Sequence, residues 1–140
     1  MPKAKAVHIK GVTFLGLTDS NHWVPMDGPA TFGGSDAGIR PKELLLLSLA
    51  GCTGSDVASI VDKMRMPYDK MEVAIEADMT DEHPKVYKNI EVIYKFWGDK
   101  LDKDKITHAI ELSEGKYCGV SAMLRPSVNL TWRLEMNPQE

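Results

Sequence analysis

Leu44-Leu45-Leu46-Leu47-Ser48-Leu49-Ala50-Gly51-Cys52-Thr53-Gly54-Ser55-Asp56, entered through Arg40-Pro41-Lys42-Glu43, decides how this chain folds. Thirteen residues pass with a single charge, at the end, and Pro41 suits the first turn of a helix. The spacing predicts a helix from about Pro41 to about Met64, stopping before Pro67. Its first half is apolar nearly all round, which implies burial on every side. Gly51 and Gly54 each cost about 1 kcal/mol relative to alanine inside a helix. Their presence is understandable if another backbone, such as a second helix, packs very close. The Leu44–Leu49 run by itself is too short to cross a bilayer.

Outward from this helix the patterning changes to period two. Upstream, Val7-His8-Ile9, Val12 to Leu17 and His22-Trp23-Val24 are β-prone runs split by Gly11 and Asp19-Ser20-Asn21, as in a hairpin or three-stranded meander. Downstream, Met71, Val73, Ile75, Ala77 and Met79 alternate with acidic residues. Ile90, Val92, Tyr94 and Phe96 repeat the pattern, as do Val128, Leu130, Trp132, Leu134 and Met136. Between the last two strands a second helix is predicted, with Asp102 as N-cap, Leu101 stapled to Ile106 and Gly115 as its stop. A short helical piece from Val120 to Leu124 precedes Pro126. The order β-β-β-α-β-β-α-(short α)-β is an α+β layout, and residues 1–140 read as one domain.

The apolar share of 43% and charged share of 26% are those of a folded, soluble protein. A net charge of -3, with no Lys/Arg cluster, argues against a nucleic-acid partner. Met1-Pro2-Lys3-Ala4-Lys5-Ala6-Val7-His8 has no apolar core of a signal peptide, so a cytoplasmic protein with no membrane partner is expected. Two cysteines in such a chain are free thiols or a transient redox pair.

The chemistry rests on those two residues. Ser48, Ser55, Asp56 and Ser59 share a helix stripe with Cys52, so the polar seam of an apolar helix runs through the thiol. Buried free cysteine is also ordinary filling, and the pattern alone leaves Cys52 open between the two. Cys118 lies in Glu114-Gly115-Lys116-Tyr117-Cys118-Gly119-Val120-Ser121, at the start of a helical turn and beside Lys116. Such a setting favours a thiolate, although a small residue in a tight connection would look the same. Asp56, one turn beyond Cys52, would tend to raise its thiol pKa.

Taken together, Pro41-Lys42-Glu43-Leu44-Leu45-Leu46, Leu49-Ala50-Gly51-Cys52-Thr53 and Tyr117-Cys118-Gly119-Val120-Ser121-Ala122 resemble the OsmC/Ohr family. Phe14 to Asp27 is similar to the start of its OsmC-like branch, so the resemblance covers essentially the whole chain. It implies an OsmC-type fold of antiparallel sheets with a long buried central helix, in an intertwined homodimer. It implies a thiol-dependent peroxidase that reduces organic hydroperoxides, with an external thiol or dithiol as reductant. Cys52 would become a sulfenic acid, and Cys118 would condense with it to a disulfide. The family's assisting arginine, usual in the N-terminal region, has no match before Arg40; Arg40, Arg65 and Arg125 are the candidate substitutes, with Arg40 favoured because it adjoins the motif, and Glu43 stands for the family's glutamate. Glu43 is nine residues from Cys52, half a turn round the helix, so it would serve the cysteine of the partner subunit.

No cofactor or metal is expected. His8, His22, His83 and His108 are scattered, and two cysteines without a CxxC argue against zinc. The Gly-rich stretch from Asp27 to Gly38 lacks GxxxxGK and reads as a flexible connection. Trp23, Trp97 and Trp132 fit strand positions as core or dimer contacts. Two rival functions remain: a non-catalytic binder of an apolar or acyl-thiol ligand at the dimer interface, and a redox sensor whose thiols oxidise without turnover.

Overall fold

The computed structural model describes all 140 residues, in two compact units, Met1–Leu46 and Leu47–Glu140. In the first, β1 (Ala4–Lys10), β2 (Thr13–Thr18) and β3 (Trp23–Met26) form an antiparallel meander in the order β1-β2-β3. Gly11 turns the chain between β1 and β2 with φ +53, and a Cβ there would stand 2.4 Å from the Gly33 carbonyl oxygen. Only glycine meets both demands.

The Gly-rich stretch is not the flexible connection that its composition suggests. Asp27 is buried, and its carboxylate accepts hydrogen bonds from the backbone N–H of Gly28 (2.8 Å), Ser35 (3.1 Å) and Ala37 (3.1 Å). A single side chain therefore winds the loop around itself. Burial pushes the Asp27 carboxyl up, but the N–H donors of Ala37, Gly28 and Ser35 outweigh it and hold the group below its ordinary range.

Helix α1 (Glu43–Lys63) starts two residues later than the sequence indicates and ends at the expected place. The Glu43 carboxylate accepts from the Arg40 N–H at 2.9 Å, satisfying a donor at the helix start. Arg65, in the left-handed region at φ 56, turns the chain out beyond the other end. Burial follows one stripe, Leu49, Thr53, Val57 and Val61, rather than every side. That four-residue spacing presents a single face, and each aliphatic member contributes about 1.5–3 kcal/mol on burial. Gly54 meets the Val73 side chain, where an added Cβ would come within 3.2 Å, whereas Gly51 has nothing within 4 Å. Within the chain, the close neighbour at Gly54 is thus a strand. An 18-residue stretch of α1 reaches a mean hydropathy of 1.7, so by length and composition the helix could cross a bilayer, although the shorter leucine run could not.

In the second unit, β4 (Lys70–Met79), β5 (Tyr87–Trp97) and β6 (Asn129–Met136) form a sheet in the order β4-β5-β6. β4 and β5 are antiparallel, but β6 pairs with β5 in parallel, which corrects the expectation of antiparallel sheets throughout. A parallel return needs a crossover, and helices α2 (Lys103–Leu112) and α3 (Gly119–Leu124) supply it. β5, the central strand, buries Ile90, Val92, Ile93, Tyr94 and Phe96. Ile106, Ala109 and Ile110 of α2 are equally buried.

Asp102 caps α2 as expected, accepting from Asp104 N–H at 3.0 Å and Lys105 N–H at 3.2 Å, a contact worth about 1 kcal/mol. Gly115 does not stop the helix. The chain continues through a π-helical turn, Ser113–Tyr117, and leaves helical geometry only at Cys118. Trp132 packs edge-on against Tyr94 with ring centroids 6.2 Å apart, and Trp97 donates its indole N–H to the Pro138 carbonyl at 2.8 Å. Trp23 lies half exposed.

Replacing Asp27 with alanine strands three inward-facing N–H donors, so the melting temperature should fall at neutral pH. Because the native carboxyl titrates below its unfolded value, its contribution is present above about pH 4 and is lost as pH falls through the folded pKa. Thermal melts of Asp27→Ala and wild type should therefore differ at pH 7 and converge under acid.

Candidate functional site

Each candidate thiol is set by an element with a clear local cause. Cys52 stands on α1 one residue from the buried stripe, which keeps it at the edge of the packed face and partly accessible. Asp56, four residues on, lies directly above it on the same side of the helix. Cys118 follows the π turn and is the N-cap of α3, in extended geometry at φ -76 and ψ 105. Its sulfur accepts from the Ser121 N–H at 3.3 Å.

The fold draws these groups together. The two sulfurs and a carboxylate oxygen of Asp56 all lie within 4.8 Å of one another, and neither cysteine is in a disulfide. Cys118 is buried and Cys52 half-buried. Ser113, wholly buried at the start of the π turn, donates its hydroxyl to Asp56 Oδ2 at 2.9 Å. Its carbonyl accepts from the Cys118 N–H, also at 2.9 Å. One residue therefore holds both the carboxylate and the second cysteine.

Burial pushes the Cys52 thiol up. The neighbouring Cys118 and the charge of Asp56 push in the same direction, against a backbone N–H from Val120. In this single chain Cys52 favours the protonated thiol more than a free cysteine does.

Behind the thiols lies a polar chain that sequence reasoning missed. Tyr94, fully buried on β5, donates its hydroxyl to Glu114 Oε1 at 2.8 Å. Burial pushes this phenol far above its ordinary range and the Glu114 charge adds to the effect, so Tyr94 stays a neutral donor. Arg125 holds the same residue through its carbonyl at 2.9 Å and its carboxylate at 3.4 Å. The only sequence signal was the aromatic hydroxyl at an inward strand position, which needs a partner when buried.

Arg40 and Glu43 have other engagements. Arg40 pairs with Asp36 at 2.7 Å and donates to the Gly38 carbonyl, while Glu43 caps the helix start through the Arg40 N–H. Lys116 lies over the Tyr117 ring, 5.2 Å from its centroid. Ser55, on the expected polar seam, returns its hydroxyl to the Gly51 carbonyl at 2.7 Å, while Asp56 of the same seam reaches the thiols.

A three-stranded sheet crossed by helices, with two free thiols converging from a long helix and a helix cap, defines a small α+β thiol protein. The chain belongs to the OsmC-like family: residues 33–133 match the model of the OsmC-like protein. It is 32% identical over 134 residues to Protein YhfA of Escherichia coli (strain K12), spanning 96% of this chain and 97% of that one. A hypothetical protein from Aquifex aeolicus VF5 superposes with a TM-score of 0.81 at 28% identity, covering 99% of this chain and 98% of that chain. An organic hydroperoxide resistance protein OsmC from Legionella pneumophila shares the fold, with a TM-score of 0.71 at 16% identity over 96% of each chain. The OsmC-type α+β fold expected from the sequence is present.

Since the charge of Asp56 adds to the burial that raises the Cys52 thiol, Asp56→Asn should lower the pH at which Cys52 becomes reactive. Rates of iodoacetamide modification, followed at Cys52 by mass spectrometry across pH, should inflect above the ordinary thiol range in wild type. An unchanged or higher inflection in the variant would remove Asp56 from the site's electrostatics.

Proposed function

We propose that the protein is a thiol-dependent peroxidase that reduces organic hydroperoxides in the cytoplasm, with Cys52 as the attacking thiol and Cys118 as the resolving one. The observation that carries this reading is the approach of the two sulfurs to within 4.8 Å, although Cys52 and Cys118 lie far apart along the chain. Membership of the OsmC-like family supports it, as does the name of the Legionella relative with the same fold.

The cycle has three steps. Cys52 loses its proton, and its sulfur attacks the outer oxygen of ROOH. The O–O bond breaks and the alkoxide leaves as ROH, taking a proton, while Cys52 becomes a sulfenic acid. Cys118 then attacks that sulfur, forming the disulfide and releasing water. Two external thiols, or one dithiol, reduce the bridge and leave as a disulfide. Bridging requires the sulfurs to close to about 2.05 Å. The Asp56 carboxylate, with an oxygen within 4.8 Å of the Cys52 sulfur, is placed to accept the Cys52 proton. Ser121 Oγ, fully buried with no partner, remains free to bond a water or peroxide oxygen.

A second reading has one observation in its favour. The raised Cys52 thiol is the wrong protonation state for rapid attack, which suits a binder of an apolar or acyl-thiol ligand. Turnover separates the two. Wild type should reduce cumene hydroperoxide steadily with a dithiol, Cys52→Ser should fall to background, and Cys118→Ser should release one equivalent of alcohol and leave a trappable sulfenic acid. Equal turnover in wild type and Cys52→Ser would reject the peroxidase.

The same reading includes a homodimer. Leu47 is 57% exposed, Gly51 opens to empty space, and a groove of about 410 Å³ runs between them and Met71 and Val73 of β4. An apolar helix face with a glycine at its centre suits a second copy of α1, because two backbones can approach closely where side chains are absent. Light scattering should give twice the chain mass for wild type, and Leu47→Glu should shift the population toward monomer. A monomeric wild type at micromolar concentration would rule out this assembly.

A further inference from the structure

The thiol pair has a third member that the peroxidase cycle uses only as a proton acceptor. We propose that Cys52, Cys118 and Asp56 form a binding site for one zinc-class divalent ion, a use of the cluster that does not depend on peroxide chemistry. The scattered histidines and missing CxxC argued against a metal when only spacing was considered. The fold assembles the donors differently, two from one helix face at i and i+4 and one from a distant N-cap.

Geometry carries the argument. An ion centred among three atoms no more than 4.8 Å apart lies within about 2.8 Å of each, against about 2.3 Å for Zn–S and 2.0–2.2 Å for Zn–O bonds. From that outer limit, contraction by about 0.5–0.8 Å completes the bonds. The donor set is suitable, since two sulfurs and one oxygen match a borderline-soft ion and leave the fourth tetrahedral position for water.

The surroundings are those of a supported ligand set. Ser113 donates to Asp56 Oδ2 and fixes the carboxylate while leaving its other oxygen free of that bond. The Ser121 N–H donates to the Cys118 sulfur, and the Val120 N–H faces that of Cys52. Binding is balanced by release of the two thiol protons to solvent as the metal–sulfur bonds form. A loaded ion would occupy the lone pairs that attack peroxide, so loading and peroxide reduction would exclude one another.

The probe is Co²⁺, added to the full-length, reduced chain under anaerobic conditions. One ion per chain should bind, with a near-ultraviolet thiolate-to-cobalt charge-transfer band and the visible absorption of a tetrahedral site, and Zn²⁺ should displace it. Asp56→Asn should weaken binding by at least about tenfold, and Ser113→Ala by about tenfold through the loosened carboxylate. In wild type, Zn²⁺ should also protect both cysteines from alkylation, a readout that needs no variant to fold. No charge-transfer band, protection of only one cysteine, or wild-type affinity in a folded Asp56→Asn would each overturn the site. Because none of these measurements uses turnover, loss of the peroxidase reading would leave them unaffected.

Discussion

Ser113 is the constraint on which the thiol site depends. Its carbonyl closes the π turn onto the Cys118 N–H, and its hydroxyl reaches across to Asp56 on α1. A regular α-helix would have bonded Cys118 to residue 114, keeping it in the spiral. The wider turn brings the chain out with Cys118 extended, ready to cap α3 and to meet Cys52. π turns of this kind recur at functional positions because they cost helix stability and persist only where the surroundings hold them. Here the surroundings are a buried hydroxyl and a half-buried carboxylate, and separating them would leave the Ser113 hydroxyl unsatisfied, at about 1–3 kcal/mol.

The second layer of the site explains why charge does not simply accumulate beside the thiols. Glu114 follows Ser113 in the π turn, and its carboxylate is held by Tyr94 from the sheet and by Arg125 beyond α3. Tyr94 in turn lies edge-on to Trp132, so a polar contact and an aromatic one share the same buried ring. Three elements, β5, the π turn and the end of α3, are thereby linked around one acid group. The positive charge in this unit that lies closest in sequence to Cys118's helix is committed to that acid.

Much of the architecture was legible because it depends on local periodicity. Alternation along residues 71–79, 90–96 and 128–136 gave the strands, Asp102 announced a helix start, and Pro67 limited α1. Relations between distant segments were harder to see. Nothing in the alternation distinguishes a parallel β6 from an antiparallel one, since both place the same side chains on the same faces. Gly115 looks like a helix stop, yet glycine can equally occupy an ordinary helical conformation, and the bond from Cys118 to Ser113 overrides the preference. The Asp27 loop misled in the same way: glycines suggested freedom, while the carboxylate that binds Ser35 and Ala37 acts across eight and ten residues. The paired cysteines were visible from family resemblance and the helix phase of Asp56 from spacing, but Tyr94, Ser113 and Glu114 owe their roles to tertiary contacts.

The sulfur of Cys118 also does a structural job, as the acceptor for the Ser121 amide in the first turn of α3. Any new covalent neighbour drains electron density from that atom and turns its lone pairs elsewhere. The Ser121 N–H, in the first turn of the short helix Gly119–Leu124, would then need another acceptor.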